Sequence, residues 1–351
     1  MTEIADKRLV AIGAPGAAVD ARGRPLRDLR ISVMDRCNFR CPYCMPRETF
    51  GEGYRFLPAA DRLSFDEIVR LARQFAVEGV RKIRLTGGEP LLRSGLPDLV
   101  GELSAIDGIE DLALTTNGVL LAQHAAELAA QGLSRVTVSL DSIVPETFRR
   151  MSGGFDGLDR VLDGIRAARE AGLAPVKVNA VVQRGINDGE VLDLARHFRG
   201  SGVTIRFIEY MDVGNRNDWQ PGRVVPAREL RDRIGAAWPL SALAPAQPGE
   251  VAERYAYADG AGEVGFIASV TQPFCGGCTR ARISSDGMFY TCLFATAGTD
   301  FRAALRAGAD DGELRRMIRA TWRAREDRYS ELRGREAAAT ERKIEMYYIG
   351  G

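Results

Sequence analysis

Apolar residues recur along this chain in two alternating periods. Short, nearly continuous apolar runs occur at "LRISVM" (29–34), "KIRLT" (82–86), "LALTT" (112–116), "RVTVSL" (135–140), "PVKVNAVV" (175–182) and "VTIRFIEYM" (203–211). Runs of this kind read as strands of a parallel sheet covered by helices. Between them the apolar period lengthens to that of a helix. The clearest case is "SFDEIVRLARQFAVEG" (64–79), where Phe65, Ile68, Val69, Ala72 and Phe75 form a stripe and Ser64 with Glu67 a capping box. Further helices are predicted near 96–106 and in "LLAQHAAELAAQG", "GLDRVLDGIRAAREAG" and "GEVLDLARHFRG". Six successive β/α units predict an α/β protein with a partial (β/α)6 TIM-type barrel over residues 26–212.

Outside that span the rhythm is lost. Residues 1–25 are punctuated by Gly, Ala and Pro and read as an extended lead-in. Residues 213–249 read as a loop-like connecting segment, with "GNRNDWQPGRVVP" and "PLSALAPAQPGE". Residues 250–351 show short strand patterns (264–269, 280–285, 288–294) and two helical stretches, a smaller α+β module.

Composition narrows the class. Hydrophobic content of 45% and charged content of 27% are those of a soluble globular protein. No apolar run approaches the length of a membrane span, and the N-terminus shows no secretory h-region. The expected location is the cytoplasm, where cysteines serve as metal ligands or catalysts more often than in disulfides. A net charge of +1 gives no global field for nucleic acid or a membrane surface. Lysine is rare: Lys7, Lys82, Lys177 and Lys343 stand against a background of arginine. A lysine inside an apolar strand, as at Lys177, therefore stands out.

Candidate chemistry follows the strands. Cysteines come after the first, "TGGEP" after the second, "TTNG" after the third and "SLDS" after the fourth, while Lys177 and Asn179 lie in the fifth and "EYMD" ends the sixth. Each cluster alone is an ordinary βα turn. Together they fall on the C-terminal rim of a barrel, where ligands bind.

The cysteines divide into two sets of three. Cys37, Cys41 and Cys44 are spaced C-x3-C-x2-C, and Cys275, Cys278 and Cys292 C-x2-C-x13-C. Zinc is the main rival to an iron–sulfur reading, since C-x2-C is a common zinc knuckle. A zinc site would need a fourth ligand for each set, and His124 and His197 lie on predicted barrel helices away from both. Three thiolates on a four-iron cluster leave one iron open to another ligand.

C-x3-C-x2-C with an aromatic residue, Tyr43, before the last cysteine resembles the signature of the radical S-adenosylmethionine (SAM) superfamily, and "GGEP" (87–90) agrees with it. The stretches "GRPLRDLRISVMDRCNFRCPYCMP", "IRLTGGEPLLR", "LTTNG", "VSLDS", "KVN", "IRFIEYMD", "FCGGCTRARISSDG" and the final "GG" closely resemble the GTP 3′,8-cyclase family within it. The resemblance runs from about residue 20 to the end of the chain. It implies that Cys37, Cys41 and Cys44 hold one [4Fe-4S] cluster, whose open iron binds SAM. Cys275, Cys278 and Cys292 would hold a second, whose open iron meets the guanine end of GTP. It implies SAM contacts from Tyr43, Gly88, Ser139 and Met211, and GTP contacts from Arg30, Arg84, Thr115, Lys177, Arg280, Ala281 and Arg282. A tail ending in Gly350 and Gly351 would enter the site. The implied activity is cyclisation of GTP to 3′,8-cyclo-7,8-dihydro-GTP by a 5′-deoxyadenosyl radical, the first step of molybdenum cofactor biosynthesis. Implied partners are an external one-electron reductant, a second copy of the chain in a homodimer and, functionally, cyclic pyranopterin monophosphate synthase as the next enzyme.

Elementary electrostatics points the same way. No G-x-x-x-x-G-K-[ST] loop is present to cradle a triphosphate, so scattered cations must do so. Arg30, Arg84 and Lys177 lie in separate predicted barrel strands, where an inward cation without an anion is costly. Arg280 and Arg282 alternate along a strand and so share a face. The plain alternative for each is a solvated or salt-bridged side chain. Another radical SAM enzyme with an auxiliary cluster, a zinc module gripping nucleic acid, or a carrier conjugated through its Gly-Gly end would fit these arginines, the net charge or the chain length less well.

Overall fold

The computed structural model describes residues 17–247, 249–333 and 342–351. The lead-in expected over 1–25 therefore lies outside the described residues as far as residue 16. All six predicted barrel strands are present: β1 (Asp28–Ser32), β2 (Lys82–Thr86), β3 (Asp111–Thr116), β4 (Arg135–Ser139), β5 (Lys177–Val182) and β6 (Thr204–Glu209). They alternate with α1 (Phe65–Val77), α2 (Leu96–Ser104), α3 (Leu121–Ala130), α4 (Pro145–Met151), α5 (Leu158–Glu170) and α6 (Val191–Phe198). α1 shows how local sequence sets an element. Ser64 and Glu67 form the capping box at its start, and Ile68, Val69, Ala72 and Phe75 are buried. Each large apolar side chain so buried contributes roughly 1.5–3 kcal/mol.

The connecting segment is more ordered than its composition suggests. It contains α7 (Ala227–Ala237) and β7 (Leu240–Leu243). Ala227, Leu230 and Ile234, at helical spacing, are the buried face of α7; among so many arginines this short stripe is a weak signal. The chain continues through β8 (Glu253–Tyr257), β9 (Glu263–Ile267), β10 (Arg280–Ile283), β11 (Met288–Tyr290) and β12 (Thr299–Asp300). It ends in α8 (Phe301–Arg306), α9 (Asp311–Arg323), α10 (Tyr329–Leu332) and α11 (Met346–Ile349). No helix among the described residues is long and apolar enough to cross a membrane.

The strands after residue 250 extend the barrel sheet itself. The order is β12-β11-β10-β1-β2-β3-β4-β5-β6-β9-β8-β7. β10 pairs parallel with β1, and β9 parallel with β6, so parallel strands flank the six-strand set at both edges. Among the described residues no ladder joins β9 to β10, and the barrel is open there.

Register decides what faces the lumen. Across neighbouring strands Arg282 lies opposite Arg30, and Arg30 opposite Arg84. Likewise Thr115 lies opposite Thr137, Thr137 opposite Lys177, and Asn179 opposite Arg206. The residues between them, such as Leu29, Ile31, Ile83, Leu114, Val138, Val178 and Phe207, are buried in the large apolar core under the helices. The strands are thus apolar outward and charged inward.

Candidate active site

The first cysteine set lies in the loop that follows β1 at the C-terminal end of the sheet. All three thiols are free and partly buried. A tight turn, in which the N–H of Cys44 and that of Met45 both bond the Cys41 carbonyl, brings the last two cysteines together. Arg40 staples the loop by donating to the carbonyls of Cys37 (2.6 Å) and Phe50 (2.7 Å). Burial pushes the Cys37 thiol up to about 12, with Glu89 adding to it. Burial also raises Cys41, through Cys37 and Cys44 as well, and raises Cys44. These thiols resist ionising together unless positive charge arrives between them. The donor set here is three free thiols. It suits a cluster that takes each sulfur on a different iron better than a single structural zinc ion, which takes four ligands.

Two glycines let the second strand's loop approach the cysteine loop. A Cβ on Gly87 would lie 2.3 Å from the Met34 carbonyl oxygen, and one on Gly88 2.3 Å from that of Arg36. Of the other residues implied in SAM binding, Tyr43 donates to Asp141 (2.6 Å), Ser139 ends β4 opposite Asn179, and Met211 follows β6. A cavity of about 160 Å³ adjoins Tyr43 and is lined also by Gln183, Tyr210 and Asn217.

Three buried carboxylates at this rim belong to the "TGGEP", "SLDS" and "EYMD" clusters, although the sequence does not single out the acid in each. Glu89 accepts from the Thr116 hydroxyl (2.7 Å) and the N–H groups of Asn117 (2.8 Å) and Leu91 (3.0 Å). Burial raises it to about 7 and outweighs those bonds. Asp141 accepts from Tyr43 and from the Val181 N–H (2.8 Å), and burial raises it to about 6. Glu209, at the end of β6, accepts from the N–H groups of Ala227, Val270 and Thr271 and so ties the connecting segment to the barrel mouth. An acid just after an apolar strand looks like an ordinary loop residue in sequence, and only the fold turns it inward.

Inside the lumen, cations crowd together. Burial, with repulsion from Arg280 and Arg84, lowers Arg30 to about 9. Arg84 is brought to about 9 by burial and by Arg135 and Arg206. Lys177 is brought to about 7 by burial and by Arg206 and Arg135. Arg84 rests on neutral hydroxyls, those of Thr115 (2.9 Å) and Thr137 (3.2 Å). Thr116 turns instead to Glu89, so Thr115 is the threonine on the lumen face. Arg30 and Lys177 have no hydrogen-bond or ion-pair partner among the described residues. Arg206 belongs to this group although sequence reasoning passed over it; it bonds Asn179 (2.9 Å) and is lowered to about 10 by burial and by Arg135. Its alternation with Thr204 and Ile208 in "VTIRFIEYM" was the available signal.

The second cysteine set lies beyond the opposite end of the β1/β10 pair. Cys275 and Cys278 precede β10, whose Arg280 is opposite Asp28 at the start of β1. β11 runs back antiparallel, with Tyr290 opposite Arg282, and returns Cys292 to the same end. The strand pair between the two sets spans roughly 13 Å, at about 3.3 Å per residue. Burial pushes the Cys278 thiol up, but the Arg280 and Arg325 cations override it and hold it at about 6. Both guanidiniums donate to its sulfur, at 3.2 and 3.1 Å. Ala281 is fully buried between Arg280 and Arg282.

The C-terminal tail is docked in this structure. Lys343 bonds Asp212 (2.9 Å) and lies over the Tyr329 ring, and Asn215 bonds the Glu345 carboxylate (3.1 Å). Tyr347 bonds Tyr54 (2.8 Å) and packs on Phe50, while Tyr348 bonds Asp286. Gly350 then presents its carbonyl to Arg282. It has φ +74°, and a Cβ there would lie 2.3 Å from Thr86 Cγ2. We expect Gly350→Ala to displace the tail, since a left-handed non-glycine costs roughly 1–2 kcal/mol before any clash. Turnover should fall at least tenfold while the melting temperature stays within about a degree, as checked by steady-state kinetics and calorimetry on one preparation.

Comparison with known proteins adds an independent line. A family model described as Radical SAM superfamily matches residues 31–198, and one described as Molybdenum Cofactor Synthesis C matches residues 203–331. A GTP 3′,8-cyclase from Xanthomonas campestris pv. campestris (strain 8004) is 55% identical over 335 residues, 95% of this chain and 97% of its own. One from Acidothermus cellulolyticus is 53% identical over 356 residues, 95% of this chain and 98% of its own. The crystal structure of Streptococcus suis SuiB bound to S-adenosylmethionine superposes with a TM-score of 0.62 at 15% identity, covering 92% of this chain and 78% of that one, a likeness of fold.

Proposed function

Because this chain belongs to the GTP 3′,8-cyclase family of radical SAM enzymes, we propose that its lumen binds GTP between two iron–sulfur centres and directs the cyclisation of its ribose onto its base. Cys37, Cys41 and Cys44 would hold the [4Fe-4S] cluster that binds SAM, and Cys275, Cys278 and Cys292 a second one facing the guanine. When bound, cluster and SAM supply the one-electron reduction and the 5′-deoxyadenosyl radical that removes the C3′ hydrogen, opening the way to 3′,8-cyclo-7,8-dihydro-GTP in molybdenum cofactor biosynthesis.

The protein's own part is positioning. Arg30, Arg84, Lys177, Arg282 and, by its place in the same lumen, Arg206 meet the triphosphate; Thr115 lines the cavity beside them, while Ala281, whose side chain packs in the apolar core opposite Leu29, would meet the ligand only through its backbone. Arg280 stays with the Cys278 sulfur at the guanine end. Tyr43, Gly88, Ser139 and Met211 bound the SAM side, and the Gly350–Gly351 tail closes the lumen against water. No histidine is asked for a proton at this site, since His124 and His197 lie on α3 and α6. The reaction implies an external one-electron reductant and cyclic pyranopterin monophosphate synthase as the next enzyme. A homodimer in the cytoplasm is its expected setting.

One observation carries the reading. Cations without anionic partners among the described residues line a lumen flanked by a three-thiol set beyond each end, and such cations suit a polyanionic ligand. The test is an anaerobic assay of the reconstituted protein with SAM and dithionite, offering GTP, ATP, CTP and UTP separately. 5′-Deoxyadenosine formed in step with GTP consumption alone is the expected result. Cleavage of SAM indifferent to the nucleotide would remove GTP as the substrate.

A further inference from the structure

Three ionised side chains buried behind the second cysteine set have no part in the proposed reaction. Asp20, Arg24 and Arg325 have side-chain exposures of 0%, 3% and 1%. Asp20 accepts from Arg24 Nε (2.5 Å), from Arg325 (3.2 Å), and from the N–H groups of Arg22 and Arg24 (2.9 Å each). The arginines then reach outward. Arg24 donates to the carbonyls of Cys275 (2.9 Å) and Asp327 (2.7 Å). Arg325 donates to the Cys278 carbonyl (2.7 Å) and to its sulfur (3.1 Å), with its guanidinium over the Trp322 ring. Trp322 closes the circuit by donating to the Arg24 carbonyl (3.1 Å).

Such a network is a poor way to gain stability. Each buried ion carries a desolvation cost of several kcal/mol, and well-packed apolar residues of the same volume serve as well. Among the described residues, Arg24 Nη2 is moreover buried with no hydrogen-bond partner, and Arg325 Nε has only the Asp327 carboxylate, at 3.6 Å. What the network does achieve is specific: the arginine bonds that reach beyond it fall mainly on the backbone and sulfur of the Cys275–Cys278 turn. Donors to a ligating sulfur raise the reduction potential of an iron–sulfur centre, and the groups that orient ligands govern how firmly it is held.

We propose that Asp20, Arg24 and Arg325 are the positioning residues of the second cysteine set, and that Arg325, through the Cys278 sulfur, sets the reduction potential of the centre bound there. The segment 17–25, just ahead of the barrel, thereby becomes part of the site. This rests on the two-centre reading above.

The test is a potentiometric titration, followed by electron paramagnetic resonance, of the anaerobically reconstituted full chain, with iron counted per chain. Arg325→Lys keeps the charge beside Asp20 but loses the fork that joins carbonyl and sulfur. It should retain full iron while one of the two reduction steps moves to more negative potential and the other stays in place. Arg325→Met should keep about half of the wild-type iron. The unmoved step reports an intact first centre and thus a folded barrel. Both steps at wild-type potentials in Arg325→Lys, with full iron in Arg325→Met, would overturn the inference. Wild-type protein that takes up only one centre would overturn the two-centre reading as well, and shows itself before any substitution is made.

Discussion

Cys41→Ala is expected to reduce 5′-deoxyadenosine formation to background, a loss of at least about a thousandfold, because the cofactor carries the hard chemical step. Cys278→Ala should act differently. It should abolish conversion of GTP yet leave slow SAM cleavage that no longer responds to the nucleotide. The two sets lie beyond opposite ends of the β1/β10 pair, and the groups that hold them are separate. Arg40 and the Glu89 neighbourhood support the first; Arg24, Arg280 and Arg325 support the second. Damage to one need not unseat the other. Iron per chain should fall by about half in each variant, and chromatography of the nucleoside products tells them apart. Loss of SAM cleavage in both variants would instead mean that the second set supports the first, contrary to the assignment of roles.

Much of this fold was legible because strands and helices of a β/α barrel differ in period. "KIRLT" and "PVKVNAVV" lie within a residue or two of β2 and β5, and α1 follows its stripe and capping box. The cysteine sets were legible for another reason: spacing fixes how thiols group even when their surroundings are unknown. Other features were hidden. Arg206 reads as one arginine among many until register puts it opposite Asn179 and on the lumen side. Glu89, Asp141 and Glu209 are buried acceptors only because loops from other strands bring N–H groups to them. Asp20 and Arg24 are the extreme case, since their partners are about 250 or more residues away in sequence, at Cys275 and Arg325. Nothing local in "AAVDARGRP" marks it as part of a site. Local pattern shows which elements form; the charges a polyanion needs are set by how the elements meet.

Those charges should make the ligand-free protein less stable than it need be, and substitution should reveal it. Arg84→Met or Lys177→Met removes a buried cation that repels its neighbours, so the ligand-free melting temperature should rise by about 1–3 °C. The same change should weaken GTP binding by roughly 10–150-fold, the equivalent of a charge-assisted contact of about 1.5–3 kcal/mol. Lys177 adds a pH signature. An unperturbed lysine titrates near 10.4, whereas burial and Arg206 bring this one to about 7. Between those values the unfolded chain binds more protons, so stability rises with pH. The deficit of the wild type relative to Lys177→Met should therefore be full below pH 7 and fade towards pH 10, as followed by denaturant melts. GTP should bind with proton uptake above pH 7, because the triphosphate restores the charge on the lysine. Its affinity should decline from pH 7 to 9 in the wild type and more weakly in Lys177→Met, with uptake measured by titration calorimetry in buffers of different ionisation heat. Equal pH dependence in the two proteins would place the triphosphate away from β5.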